Sequence, residues 1–219
     1  MEFSNPSNTK ESGRYGLYYL PTTMDNGTQM DSCQINGVEY RAHSMMHKAI
    51  VRMDPTKLEM LDGFEQTDTG YKFIPEATNV RLIISGRDWS EKRLLIYGCK
   101  TSEEATEYIE EVIARVNEIG HEAKLVNGPK ITNIAVSGDF EQPLELEKLA
   151  VDLPKMGIDV EYEPEQFPAA IVKLDDPSAT FLLFSNGKFS IQGLKNKGEI
   201  EPQITRIQSL LWENSNSVE

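Results

Sequence analysis

With two cysteines and three histidines in 219 residues, the chain has little material for metal or redox chemistry. Cys33 and Cys99 lie far apart in no metal-type spacing, so free thiols in a reducing compartment are expected. His43 and His47 are four apart, but no nearby acid or cysteine completes a ligand set. No Ser-His-Asp or Cys-His arrangement stands out, which leaves general acid–base work few players. Asp175-Asp176 precedes Pro177 and reads as a turn. No apolar run approaches the roughly 20 residues of a membrane helix. The opening MEFSNPSNTKESGRYG has no apolar core of a signal peptide and reads as a disordered tail. Basic residues are in deficit, 22 against 35 acidic, for a net charge of −13. Taken alone, that argues against a nucleic-acid partner, because phosphate contacts are made by Lys and Arg. The exclusion is incomplete: charge can be segregated between faces, and minor-groove binding can rest on shape and apolar wedges.

What is present is a globular composition, 39% hydrophobic and 26% charged, carrying an internal repeat. Leu94-Leu95-Ile96-Tyr97-Gly98-Cys99-Lys100 and Phe189-Ser190-Ile191-Gln192-Gly193-Leu194-Lys195 each read as a strand closed by Gly-x-Lys. Each leads into an amphipathic helix, with Ile109, Val112, Ile113 and Val116 in the first and Ile200, Ile204, Ile207 and Leu211 in the second. Upstream, Ala49–Met53 matches Ala170–Leu174, and Val38-Glu39-Tyr40 matches Val160-Glu161-Tyr162. The offset is about 121 residues upstream and about 95 downstream, which implies an insertion of about 26 residues within Pro55–Thr78. Val126–Pro129 reads as a linker, Lys130–Ser137 as a strand and Pro143–Ala150 as a short helix stopped by Pro154. Leu17–Leu20 reads as an opening strand and Asp31–Ile35 as a degenerate short helix. Organisation is then a tail at 1–13, a first repeat at 14–125 with its insertion near 55–78, a second repeat at 126–212 and a tail at 213–219.

The second half is rich in ordered signals: Thr132-Asn133-Ile134, the Leu-Glu-Lys-Leu-Ala helix, YEPEQFP, FLLFSNGK and the closing Gly-x-Lys. In that order they closely resemble the second repeat of the TATA-binding-protein family. The resemblance implies an α+β saddle, in which two pseudo-symmetric repeats form one curved antiparallel sheet with helices on the convex face. It implies an initiation factor that binds A·T-rich promoter DNA in the minor groove, bends it, and recruits a TFIIB-like factor and other general transcription factors. No enzyme activity, cofactor or membrane is expected. Phe167 and Phe184 match the intercalating pair. Asn133 matches an asparagine that donates to minor-groove acceptors, and Lys173, Lys188 and Lys195 fall where the family has phosphate-reaching residues. Arg52 and Lys100 are their first-repeat counterparts. Glu163, Glu165 and Gln166 lie in the stirrup that docks the factor. Gln192 and Tyr97 stand where the family has DNA-facing threonines. Met46 takes one wedge place of the first repeat, and Trp89 or Ser85 the other. The resemblance places the protein in the nucleus of a eukaryote, or with the chromosome in the cytoplasm of an archaeal or viral system. Two alternatives stand beside this reading. One is a protein-interaction module that kept the saddle and lost DNA. The other is the substrate-binding part of a nucleic-acid enzyme.

Overall fold

The computed structural model describes residues 32–56, 58–86 and 90–213, with the side chain of 213 excluded. The expected tail at 1–13 and strand at Leu17–Leu20 lie outside the described residues, as do Lys57 and Trp89. In chain order the elements are β1 (Cys33–Ile35), β2 (Val38–Met53), a single 3-10 turn at Leu58–Met60, β3 (Phe64–Thr67), β4 (Gly70–Phe73), β5 (Arg81–Ser85), β6 (Ser90–Tyr97) and α1 (Ser102–Glu118). Then come β7 (Ala123–Asp139), α2 (Leu146–Lys155), β8 (Asp159–Glu161), β9 (Ala169–Leu174), β10 (Ala179–Phe184), β11 (Lys188–Leu194), a second 3-10 turn at Lys197–Glu199 and α3 (Ile200–Glu213).

All strands join one antiparallel sheet, ordered β3-β4-β5-β6-β2-β7-β11-β10-β9-β8, with β1 pairing β2. The order is its own mirror about the β2–β7 seam. So β2 corresponds to β7, β3 to β8, β4 to β9, β5 to β10, β6 to β11 and α1 to α3. The doubled α+β saddle is what the sequence led us to expect, but the correspondence within the first repeat differs. Ala49–Met53 lies on the central strand β2 and matches β7, not β9. The segment near 55–78 is not an insertion: it supplies β3 and β4. The first repeat is instead shortened, with the 3-10 turn at Leu58–Met60 in place of a short helix. Cys33–Ile35 is a strand rather than a helix, and the Val126–Pro129 stretch runs inside β7.

Alternation explains the layering. On β10, Phe181 and Leu183 turn to the helices and Leu182 to the opposite face, as a period of two requires. Two cores result. One packs α1, through Ala105, Ile109, Val112 and Val116, on Val51, Leu82, Ile84, Leu94 and Ile96. The other packs α2 and α3, through Leu149, Leu153, Ile204 and Ile207, on Val136, Val172, Phe181 and Ile191. Each large aliphatic residue buried this way stabilises by about 1.5–3 kcal/mol. The Thr101 side chain caps α1 by accepting from the Glu104 N–H at 3.1 Å, with Glu103 and Glu104 favourably placed in the first turn. Asn196 and Glu199 form a reciprocal capping box ahead of α3.

His47 sits behind the seam, on the helix side, fully buried. Neither ring nitrogen has a hydrogen-bond partner among the described residues. Burial pushes its pKa below the usual 6.5, against the nearby Glu104 and Glu103 carboxylates, and Lys197 adds to the lowering. The unfolded chain therefore takes up this proton at a higher pH than the folded one. Stability is full above about pH 6.5 and falls as pH drops from there toward the folded pKa. Urea titrations across that range should show the loss, and His47→Leu should flatten it. Phe181→Ala, in the second core, should cost about 3–5 kcal/mol at any pH. Val151→Ala, on the exposed side of α2, should stay within about 0.5 kcal/mol of the parent chain.

Candidate nucleic-acid interface

The face of the sheet away from the helices is open, and its most distinctive feature is an apolar island at the second-repeat end. Ala169, Ile171 and Leu182 form it, with Phe167 and Phe184 half-buried against them. It is separate from both cores. Phe184 is the last residue of β10, paired with Ala169. The hairpin behind it is held by Gly187 N–H donating to the Phe184 carbonyl at 3.0 Å and Lys188 N–H donating to Asn186 Oδ1 at 3.1 Å. Phe167 ends the stirrup between β8 and β9. There the N–H groups of Gln166 and Phe167 both donate to the Glu163 carbonyl at 2.9 Å. The Gln166 amide also donates to the Glu163 carboxylate. Glu163, Glu165 and Gln166 are exposed at the tip. The two rings thus stand at adjacent strand ends, held by turns that fix their backbone.

Asn133 lies mid-face on β7, opposite Met46 of β2. Its Oδ1 accepts from the Gly193 N–H at 2.6 Å. With the oxygen engaged, the amide nitrogen is left as a donor. Gly193 makes this possible: its φ of +92° sits in a register shift of β11, and Gly98 repeats the conformation at +91°. Gln192 stands beside it, opposite Thr180.

The basic side chains are placed unevenly. Lys188 is exposed next to Phe184. It lines a hollow of about 500 Å³ together with Arg41, Glu39, Ser137, Asp139 and Ser190. Lys173 pairs with Asp159 at 3.1 Å, and Arg52 with Glu91 at 2.8 Å, both pairs exposed and therefore weak. Lys195 and Lys100 follow the two Gly-x-Lys corners. Their backbone N–H groups donate to Glu199 and Glu104, at 3.2 and 2.7 Å.

The first-repeat assignments change. Met46 is not at a strand end: it sits mid-sheet between Tyr97 and Asn133. Among described residues, the counterpart of Phe184 is Ser85, since Ser85 pairs with Gly70 as Phe184 does with Ala169. Trp89 lies outside the described residues. The counterpart of Phe167 falls on Asp68, in a two-residue turn between Thr67 and Gly70. Gly70 allows that tight return, because a Cβ there would meet the Ile84 carbonyl at 2.0 Å.

Sequence reasoning missed the open-face residues Arg41, Lys48, Arg93, Lys124 and Lys130. Their signal was the alternation along β2, β6 and β7, where basic residues interleave with buried Val51, Leu94 and Ala123. Basic side chains outnumber acidic ones on the open face. The acids of α1, Glu103, Glu104, Glu107, Glu110, Glu111 and Glu118, lie on the helix side. Gly193→Ala should strain this region by about 1–2 kcal/mol. It should also loosen the Asn133 amide, seen as a lowered Tm together with a shifted Asn133 side-chain amide resonance.

Residues 128–213 match the family model described as Transcription factor TFIID (or TATA-binding protein, TBP). The chain is 34% identical over 122 residues to TATA-box-binding protein B of Halobacterium salinarum, covering 55% of this chain and 64% of that relative. It is 35% identical over 121 residues to the TATA-box-binding protein of Thermococcus celer, covering 54% and 61%. The matches therefore span less than two thirds of these relatives. In fold, Methanococcus jannaschii TBP superimposes with a TM-score of 0.66 at 25% identity, over 80% of this chain and 98% of that one.

Proposed function

We propose that this divergent TATA-binding-protein-like chain, similar to the family in sequence over its second half and in fold across both, acts in transcription initiation by binding and bending A·T-rich promoter DNA through the minor groove. The observation that carries the reading is the apolar island of Phe167 and Phe184, standing clear of both cores on the open face. Half-buried phenylalanines at strand ends are suited to enter a base step. Unstacking a step costs a few kcal/mol, and the protein surface that bent DNA can then reach offsets it. The free amide donor of Asn133 suits the acceptors of A·T pairs, adenine N3 and thymine O2. Lys188, Lys48, Arg93 and Lys130 would hold phosphates, and the acids behind the sheet would face away from DNA. The exposed stirrup tip, Glu163, Glu165 and Gln166, suits a basic surface on a TFIIB-like factor. The site of action follows the DNA, in a nucleus where there is one and with the chromosome elsewhere.

A second reading, a saddle that has become a protein-interaction module, is favoured only by the overall charge of −13. Its discriminating property would be an acidic open face, and the open face is the more basic one.

In gel-shift and bending assays on A·T-rich duplexes at low salt, the parent chain should bind and bend. Phe167→Ala with Phe184→Ala should abolish bending. Asn133→Asp keeps the acceptor for Gly193 but removes the donor, and should weaken binding by about 1–3 kcal/mol. Absence of binding at low salt, or bending indifferent to the two phenylalanines, would sink the proposal.

A further inference from the structure

We infer that the two ends of this saddle have separate tasks: the second-repeat end wedges a single base step, and the first-repeat end grips backbone without wedging. The inference deepens the DNA-binding reading and rests on it. Its basis is the mirror symmetry of the sheet, which assigns each residue of one end a counterpart at the other.

At the second-repeat end, a seven-residue stirrup, Tyr162 to Pro168, separates β8 from β9 and delivers Phe167 beside Phe184. At the first-repeat end, Thr67 and Gly70 are directly paired, so the equivalent loop is the two-residue turn Asp68-Thr69. The Gly86 N–H donates to the Thr69 carbonyl at 2.7 Å, which ties that turn to the end of β5. The two positions matching the phenylalanines are Asp68 and Ser85. A carboxylate cannot enter a base step without leaving a charge desolvated against the stack, and it repels the flanking phosphates. A serine is too small to separate bases. Neither offers the large apolar wedge that the kinking of a minor groove requires.

What the described residues of the first-repeat end offer instead is charge. Arg81 and Arg93 stand on the open face of β5 and β6, while Lys72 on β4 is paired with Glu65 at 2.6 Å. The Arg81 guanidinium lies over the Tyr97 ring at 4.9 Å, so its side chain is held in place against the sheet. Lys48 of β2 adds an ammonium on the open face at the first-repeat side of the seam, opposite Lys130. An ammonium there is a donor that can serve a phosphate as readily as a base edge.

Two consequences follow for bound DNA. The duplex has one kink, and the two binding orientations are no longer equivalent, because only one places the deformable step under the phenylalanines. Pyrimidine–purine steps unstack most easily, so the preferred register puts such a step at the second-repeat end.

The experiment scans the parent chain, so no variant has to fold. A set of non-palindromic A·T-rich duplexes carries 2-aminopurine at successive steps, and binding is followed independently by anisotropy of a terminal dye. Expected is saturable binding with a fluorescence rise at one step only. That step should move when the duplex's single pyrimidine–purine step is moved. Unstacking at two separated steps within one complex would overturn the inference while leaving the DNA-binding reading intact. Binding with no unstacked step would also overturn it. Absence of binding in the anisotropy channel would overturn the underlying reading itself.

Discussion

Everything in this molecule depends on the pairing of β2 with β7. These are the two longest strands, 16 and 17 residues, and they run antiparallel from Glu39 opposite Asp139 to Met53 opposite Ala123. Each strand serves one repeat at one of its ends and the other repeat at the other end. Val38, Tyr40 and Met45 of β2 lie in the second-repeat core, while Ala49, Val51 and Met53 lie in the first. The seam therefore welds two cores that share no helix. The register shifts near Ala42, Met46 and Lys48 are concentrated where the two cores meet. His47, buried without a polar partner, occupies that junction.

The second repeat was legible in the sequence because its local signals and its tertiary places agree. YEPEQFP is a stirrup, FLLFSNGK is a strand and hairpin, and Gly193-Leu194-Lys195 closes β11 ahead of α3. The first repeat was harder for a physical reason. Ala49-Ile50-Val51-Arg52-Met53 and Ala170-Ile171-Val172-Lys173-Leu174 have the same alternation because both are strands with one face on a core. Alternation reports which face is buried, not which strand of the sheet is meant. Matching the two forced an apparent insertion, when the true difference is loss: a helix reduced to one 3-10 turn, and a stirrup reduced to Asp68-Thr69. Met46 was accordingly placed at a strand end when it belongs at the centre. Gly98-Cys99-Lys100 does match Gly193-Leu194-Lys195, and the positive φ both glycines take is a sharper constraint than a pattern of apolar residues.

Charge shows the same division between composition and arrangement. A net −13 is a property of the whole chain, but a ligand on the open face meets only the residues that alternate toward it. The helix side carries acidic residues at the N-terminus of α1, where they favour the helix, and along its outer surface, where they interact with solvent. The open face carries Arg41, Lys48, Arg93, Lys124, Lys130 and Lys188, several of them with acidic neighbours that moderate rather than cancel the field.

The tight return at Gly70 carries a further meaning for how the two halves can drift. A loop seven residues long that must hold an aromatic ring at a fixed place allows few sequences. A two-residue turn closing a hairpin allows many, provided the one residue facing the Ile84 carbonyl has no side chain. The first half is thereby released from the demand of seating an aromatic ring at a stirrup, and the burial that remains accepts any large apolar side chain of suitable shape. Likeness in letters fades there while likeness in shape persists. The half that must seat two rings at fixed places is the half whose likeness shows in its letters.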